Sequence, residues 1–560
     1  MYSINRSTLP HGYYPRPQLM RSSYICLNGP WDFAVTKDTY TEIFDKTICV
    51  PYPPESKLSG LQITIAKDDY MHYKRVFELQ KPFEGYRAIL HFGAIDSRCE
   101  VYLNQEKIGS HTGGYIPFRF DVTDYLCDGS NTLYIVAKDG IDKTLPYGKQ
   151  TYKRGGMWYT PVSGIWQTVW IEIVPENYIS DLHISTTTDT VTVKVMGASG
   201  TKRLTFEDGS EYSFDGDSIT VVVKDPKLWS PESPNIYRFT IRCEKDVVES
   251  YFALREISVK NYNGQRRLCL NGKPYLFNGL LDQGYFQDGI FLPESLDGYL
   301  KDIRLAKRLG FNMLRKHIKI EPMIFYYLCD IEGIAVFQDM VNNSDYSFIR
   351  DTALPTIGIQ RISDTGLHKN AESRANFEEA MEETARLLHN TPSVLYYTIF
   401  NEGWGQFNSD EMYEKLKSLD ESRIIDSTSG WFRRSKTDVD SRHVYFKKLN
   451  IKKRTSDPLV ISEFGGYSYR EPGHVFSDKN YGYKTFDSRE ELTAALQRLY
   501  LDEVIPLIKE GCDALVYTQV SDVEDETNGL ITYDREIIKV DEEKIADTMD
   551  KIKQYYKKLI

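Results

Sequence analysis

The feature that most restricts what this chain can fold into is a change of hydrophobic period about halfway along it. Before Asn261–Gly264 apolar residues alternate over short runs; after it they fall at helical spacing between short apolar strands. Alternation is clear in Tyr86–Phe92, Arg98–Leu103 and Asn131–Ala137, with turn signals at Asp128–Asn131 and Thr112–Gly114. Short strands at roughly 8–12-residue spacing predict a β-sandwich, here over residues 1–176. The pattern continues through Val191–Val195, Ile219–Val223 and Tyr237–Ile241. Residues 177–257 therefore predict a second sandwich of immunoglobulin-like size, although no Cys–Trp–Cys pattern marks an antibody-type domain.

Residues 258–560 read differently. Helices are expected at Leu296–Leu309, about Pro322–Ile331, Ala371–Leu388 and Glu542–Leu559. Strands are expected at Phe311–Arg315, Ile334–Gln338, Val394–Phe400, Val460–Ile461 and Ala514–Tyr517. Such alternation suits parallel βα units, and the length fits one (β/α)8 barrel of roughly 250 residues. A doubly wound sheet fits less well, because no Gly-rich phosphate turn follows the first strand.

Composition narrows the partners. The 560 residues hold 69 Lys plus Arg against 80 Asp plus Glu, a net charge of −11, so no nucleic-acid partner is expected. No apolar run reaches about 18 residues, so no membrane span is expected. Met1–Pro10 lacks the apolar stretch of a signal peptide. Eight cysteines form no CxxC pair, so neither a metal site nor a disulfide framework is signalled, no cofactor is implied, and the cytoplasm is the expected location. Aromatic residues reach 13%, which suits sugar-ring faces but suits β-rich cores rather more.

In a barrel, catalytic groups sit at the C-terminal ends of strands. Two glutamates occupy such places. Val394–Phe400 runs into Asn401-Glu402-Gly403-Trp404, and Pro458–Ile461 runs into Ser462-Glu463-Phe464-Gly465-Gly466. Either glutamate alone is as readily a structural ion-pair partner. Together on one barrel they suit acid and nucleophile roles in glycoside cleavage.

These residues resemble glycoside hydrolase family 2, the β-galactosidase, β-glucuronidase and β-mannosidase family, over essentially the whole chain. Gly164–Gln167 with Val169-Trp170 is similar to the family's end-of-first-domain signature. Asn401-Glu402 resembles the pair in which glutamate is acid/base and asparagine binds the sugar 2-hydroxyl. Ser462–Gly465 resembles the nucleophile motif, and Tyr445 the tyrosine that orients it. The resemblance implies a jelly-roll sugar-binding-type sandwich, an immunoglobulin-like sandwich and a catalytic TIM barrel. It also implies a carbohydrate substrate and leans towards a homo-oligomer.

Weaker mouth candidates are Asp282, which closes the first strand, Arg315-Lys316-His317, which closes the second, and Asp339, which closes the third. Lys316 suits a carboxylated sugar, but a salt bridge to Asp339 or Asp282 is the simpler expectation. Trp404, Tyr517 and Trp431 are candidate stacking platforms, with core packing an even alternative. Asn450-Ile451-Lys452 has the spacing of the uronate-reading Asn-x-Lys motif, but lies in a Lys-rich run more often solvated. The acidic loop Asp522–Glu526 lacks calcium-loop spacing and reads as a solvated or Arg/Lys-paired face.

Two functions of different class are expected to compete: an exo-acting retaining β-glycosidase, and a non-catalytic carbohydrate-binding protein. Keeping both glutamates with Asn401 and Tyr445 favours the enzyme. Its first-choice substrate is a β-galactoside, with β-glucuronide, β-mannoside and β-furanoside behind it.

Overall fold

Strands in the first sandwich alternate inward aromatic and aliphatic residues with polar ones, and two sheets trap the inward set. The computed structural model describes residues 8–560 except 83, 357–358, 360–362, 446 and 452–454; the start of the Met1–Pro10 segment thus lies outside the described residues. A six-stranded sheet carries Gly29–Thr36, Tyr70–Leu79 and Gly129–Lys138, and a four-stranded sheet carries Tyr86–Phe92 and Val169–Pro175. Trp31, Phe33, Tyr73, Phe92 and Val101 fill the space between. A second, smaller sandwich packs a three-stranded sheet, containing Asp181–Thr186, against a four-stranded one, containing Tyr237–Cys243, around Val193, Leu204, Phe239 and Ile241.

The C-terminal unit is an eight-stranded parallel barrel. Its strands are β1 (Phe277–Asp282), β2 (Met313–Lys316), β3 (Ala335–Asp339), β4 (Val394–Asn401), β5 (Ile424–Ser429), β6 (Asp440–Val444), β7 (Leu459–Gly465) and β8 (Cys512–Thr518). Hydrogen-bonded order runs β5-β4-β3-β2-β1-β8-β7-β6, so only the β5–β6 seam lacks a ladder among the described residues. Side chains close that seam: Ser429 Oγ lies 3.0 Å from both His443 Nε2 and Ser462 Oγ.

Helix signals in the sequence match the outer ring closely. Ser295 caps α1 (Leu296–Arg308) by accepting from Asp297 N–H, and Gly310 follows at φ 90°. The helix α2 (Met323–Glu332) stops at Gly333, also left-handed. The helix α3 (Ala371–Leu388) lies where its apolar spacing places it, as does the final helix at Glu542–Leu559. By contrast, β5 is not visible as an apolar strand. It reads Ile-Ile-Asp-Ser-Thr-Ser, and its four polar residues are all buried, with Asp426 accepting from Tyr396 OH at 3.0 Å.

The aromatic excess is used where the domains meet. Tyr52, Tyr115, Tyr147, Tyr159 and Trp166 of the first sandwich share one buried cluster with Tyr285, Phe291, Trp404 and Tyr533 of the barrel. The first sandwich therefore sits on the mouth end of the barrel and supplies part of its wall. All eight cysteines are unpaired, and no described helix is long and apolar enough to cross a membrane.

Candidate active site

The chain leaves β4 through a sharp turn that a side chain rarely tolerates. Glu402 adopts φ 54° and Gly403 φ 78°, while Glu402 N–H donates to Ser429 O at 3.0 Å. Non-glycine residues in this region are uncommon and gather at functional sites. Across the mouth, β7 carries Glu463 where its register against β8 shifts, between Ile461 and Phe464. A register shift after Arg442 sets His443 directly opposite Glu463. The His443 ring fits because its neighbour is Gly430, at φ 84°; a Cβ there would meet the ring at 2.5 Å.

Glu463 is held from several sides. Tyr445 OH donates to its Oε2 at 2.7 Å, and Arg315 Nη1 donates to its Oε1 at 3.0 Å. Burial alone would raise its pKa; the charges of His443, Arg315, His317 and Lys149 instead bring it down to about 2. Glu402 is more open, with 17% of its side chain exposed, and its Oε1 lies 2.7 Å from His443 Nδ1. One oxygen of each glutamate and a His443 nitrogen fall within 4.8 Å of one another. That spacing would also hold a metal ion, but Arg315 already stands 3.0 Å from Glu463, where it would repel a cation.

Arg315 organises the floor. Beyond Glu463, it donates to Asp339 Oδ1 at 2.9 Å, Ser462 O at 2.9 Å and Asn401 Oδ1 at 2.9 Å, with only 1% of its side chain exposed. Because the Asn401 oxygen is taken, its amide N–H groups are what it can offer a ligand. Asp339 also bonds His317 Nδ1 at 2.6 Å. Burial, reinforced by the charge of Lys149, lowers the His317 pKa to about 4 despite Asp339, so the ring is neutral near pH 7. Donating Nδ1–H to Asp339 leaves its Nε2 as an acceptor.

The pocket brings together Asn401, Glu402, Glu463, Tyr445, His317 and Trp404. It does not bring Asp282 or Tyr517 to its lining. The Asp282 carboxylate is consumed by Lys316 Nζ at 2.7 Å and Gly284 N–H at 2.8 Å, and its neighbour Gln283 faces the pocket instead. Tyr517 points into the core against Phe464, its OH accepting from Tyr467 N–H, while the next residue, Thr518, lines the pocket. Asp339 lies one layer behind, and Trp431 stands edge-on to His443.

Lys316 is fully buried between Asp282 and Glu321, the salt-bridged alternative. The Asn450-Ile451-Lys452 candidate ends at a lysine outside the described residues. The acidic loop is not a solvated face. Asp522 pairs with Lys539 at 2.7 Å, Glu524 accepts from Thr160 N–H at 2.9 Å, and Glu526 bonds Tyr159 and lines the pocket. Three lining residues, Lys149, Met157 and Trp158, come from the first sandwich and had no signal in the barrel sequence. His443, which touches both glutamates without lining the pocket, was not singled out in the sequence either. Trp158 meets Trp404 edge-on at 5.1 Å.

Comparison with known proteins agrees with this architecture. Residues 262–559 match the family described as glycosyl hydrolases family 2, TIM barrel domain. Residues 171–255 match glycosyl hydrolases family 2, and residues 32–164 the glycosyl hydrolase 2 galactose-binding domain-like family. A β-galactosidase of Thermoanaerobacter pseudethanolicus is 24% identical over 48% of this chain and 39% of its own length. A putative β-glucuronidase of Formosa agariphila is 25% identical over 68% of this chain and 48% of its own. The chain thus spans less than half the length of these two relatives. A β-glucuronidase of Streptococcus agalactiae is 25% identical over 70% of this chain and 68% of its own. Among solved structures, the β-D-glucuronidase of Dictyoglomus thermophilum superposes with a TM-score of 0.74 at 19% identity, covering 96% of this chain and 98% of its own. A β-galacturonidase of Eisenbergiella tayi gives 0.69 at 20% identity, over 95% and 97%. With its barrel match covering more than half of its residues, the chain belongs to glycoside hydrolase family 2.

Proposed function

We propose that this chain is an exo-acting retaining β-glycosidase in which Glu463 is the nucleophile and Glu402 the acid/base. The observation that carries the reading is the pairing of two strand-exit carboxylates with oxygens inside 4.8 Å. Retaining enzymes hold their carboxyls ~5–5.5 Å apart, and inverting enzymes ~6.5–9.5 Å apart to admit a water.

The lowered pKa of Glu463 supports its role as the ionised nucleophile. Glu463, ionised and steadied by Tyr445 and Arg315, attacks the anomeric carbon while Glu402 gives its proton to the leaving oxygen. Glu402, then ionised, takes a proton from the water that releases the sugar from Glu463. The free amide N–H of Asn401 suits the sugar 2-hydroxyl. A pocket walled by Trp158, Tyr346, Trp404 and Tyr483 favours a terminal sugar over a chain running through a groove. The relatives' names divide between galactosidase and glucuronidase, so the galactoside expectation gains no support of its own.

The test is proton NMR of the first-formed sugar from a panel of 4-nitrophenyl β-glycosides. The β anomer should appear first and then mutarotate. An α-first product would overturn retention, and no hydrolysis of any glycoside would overturn the enzyme.

A further inference from the structure

The pocket holds a cation that stands over the Tyr159 ring at 5.9 Å but has no carboxylate partner among the described residues. Lys149 lines it beside Glu463 and Glu526, and among the described residues its ammonium has no hydrogen bond or ion pair. Its charge is nonetheless felt by His317 and Glu463, so it is directed into the site. Its backbone is fixed rather than loose. Tyr159 N–H donates to Lys149 O at 3.0 Å, the Tyr147 and Gly148 N–H groups donate to Asn342 O at 3.1 and 3.2 Å, and Tyr147 OH reaches Ser344 O at 2.8 Å. The first sandwich is thereby stapled to the barrel just before this lysine.

The other cations near the mouth are spent. Arg315 is saturated by Asp339, Glu463, Ser462 and Asn401, Lys316 by Asp282 and Glu321, and Lys319 by Glu321 and two backbone carbonyls. The nearby carboxylate Glu526 is taken by Tyr159 and Asn528. A second polar group also waits: Gln283 is 3% exposed, lines the same pocket, and neither of its amide atoms has a partner. A free ammonium and a free amide suit an anion. The Gln283 amide is a buried donor left unmatched, which is costly, and Lys149 is half-buried in the same lining, so the site suits a substrate that supplies the acceptor.

Resting on the glycosidase reading above, we infer that the glycone is a hexuronide, a sugar whose C6 is a carboxylate, and that Lys149 of the first sandwich is the residue that selects it. Gln283 donates a second hydrogen bond to the same carboxylate. An anionic sugar entering a pocket that already holds Glu402 and Glu463 needs such a countercharge, and a neutral hexoside does not. The specificity-determining group thus comes from outside the barrel.

The experiment compares kcat/KM for two pairs of 4-nitrophenyl glycosides that differ only at C6: β-glucuronide with β-glucoside, and β-galacturonide with β-galactoside. In the wild-type chain one uronide should exceed its neutral partner by roughly 10–150-fold, the worth of a charge-assisted hydrogen bond. Lys149→Met should collapse that ratio by a similar factor, and Lys149→Arg should keep most of it. Free hexuronic acid should compete with substrate more strongly than the matching aldose, which reads the wild-type site without any variant. Preference for the neutral member in both pairs overturns the inference while leaving the glycosidase reading intact. So does an equal loss on both members in Lys149→Met. If neither pair is cleaved and no other glycoside is, the glycosidase reading falls and takes this inference with it.

Discussion

Nδ1 of His443 lies 2.7 Å from Oε1 of Glu402, and the same ring turns its other nitrogen toward Glu463 at 3.5 Å. One buried imidazole therefore touches both carboxylates. It fixes the direction of Glu402, whose backbone is already bent into the left-handed region.

If His443 orients Glu402 for proton donation, removing it should hurt most when the leaving group needs a proton. His443→Ala should lower kcat/KM for alkyl or phenyl glycosides by roughly 10²-fold, the lower end of a general acid's contribution. For a dinitrophenyl glycoside, whose leaving group departs unaided, the loss should be far smaller. A uniform loss across leaving groups would show that His443 acts on something other than Glu402.

Arg315 ties β2, β3, β4 and β7 together through buried, charge-assisted bonds. Arg315→Met strands the carboxylates of Asp339 and Glu463 without their cation. Breaking a buried pair this way costs about 3–5 kcal/mol, so urea unfolding should shift by that much and activity should be lost with it. A variant as stable as the wild type would mean that the two carboxylates find other partners.

Asp330 joins α2 to the second sandwich, accepting from Tyr251 OH and Ser393 N–H at 2.7 Å each. Burial lifts its pKa from 3.8 to about 7, with those two bonds and Arg255 opposing. Since the folded pKa is raised, its contribution to stability is full below pH ~4 and is lost as pH rises towards 7. Asp330→Asn imitates the protonated form. Relative to the wild type it should gain about 1.4 kcal/mol per pH unit across that window. A stability difference independent of pH between 4 and 7 would contradict the raised pKa.

The sequence displays the barrel where apolar strands alternate with capped helices, as at β3, β4 and α3. It hides β5, because strand polarity there serves a buried network instead of a hydrophobic face. Glu402 and Glu463 are legible because each follows an apolar run into glycine. Asp282 and Gln283 show the limit: side chains alternate along a strand, and neighbours of similar character exchange places between pocket and wall. Lys149 and Trp158 are beyond local reading altogether, since their role arises only when a distant sandwich docks on the mouth.

The central claim, that Glu463 attacks and Glu402 handles the proton, is tested most directly by the configuration of the glycosyl azide made by two variants. With an activated aryl β-glycoside and azide, Glu402→Ala should still form the glycosyl-enzyme on Glu463, and azide, which needs no base, should yield the β-glycosyl azide. Glu463→Ala has no nucleophile, and azide entering from the vacated side should yield the α-glycosyl azide. Swapped configurations would reverse the two roles, and wild-type turnover in either variant would place the chemistry elsewhere.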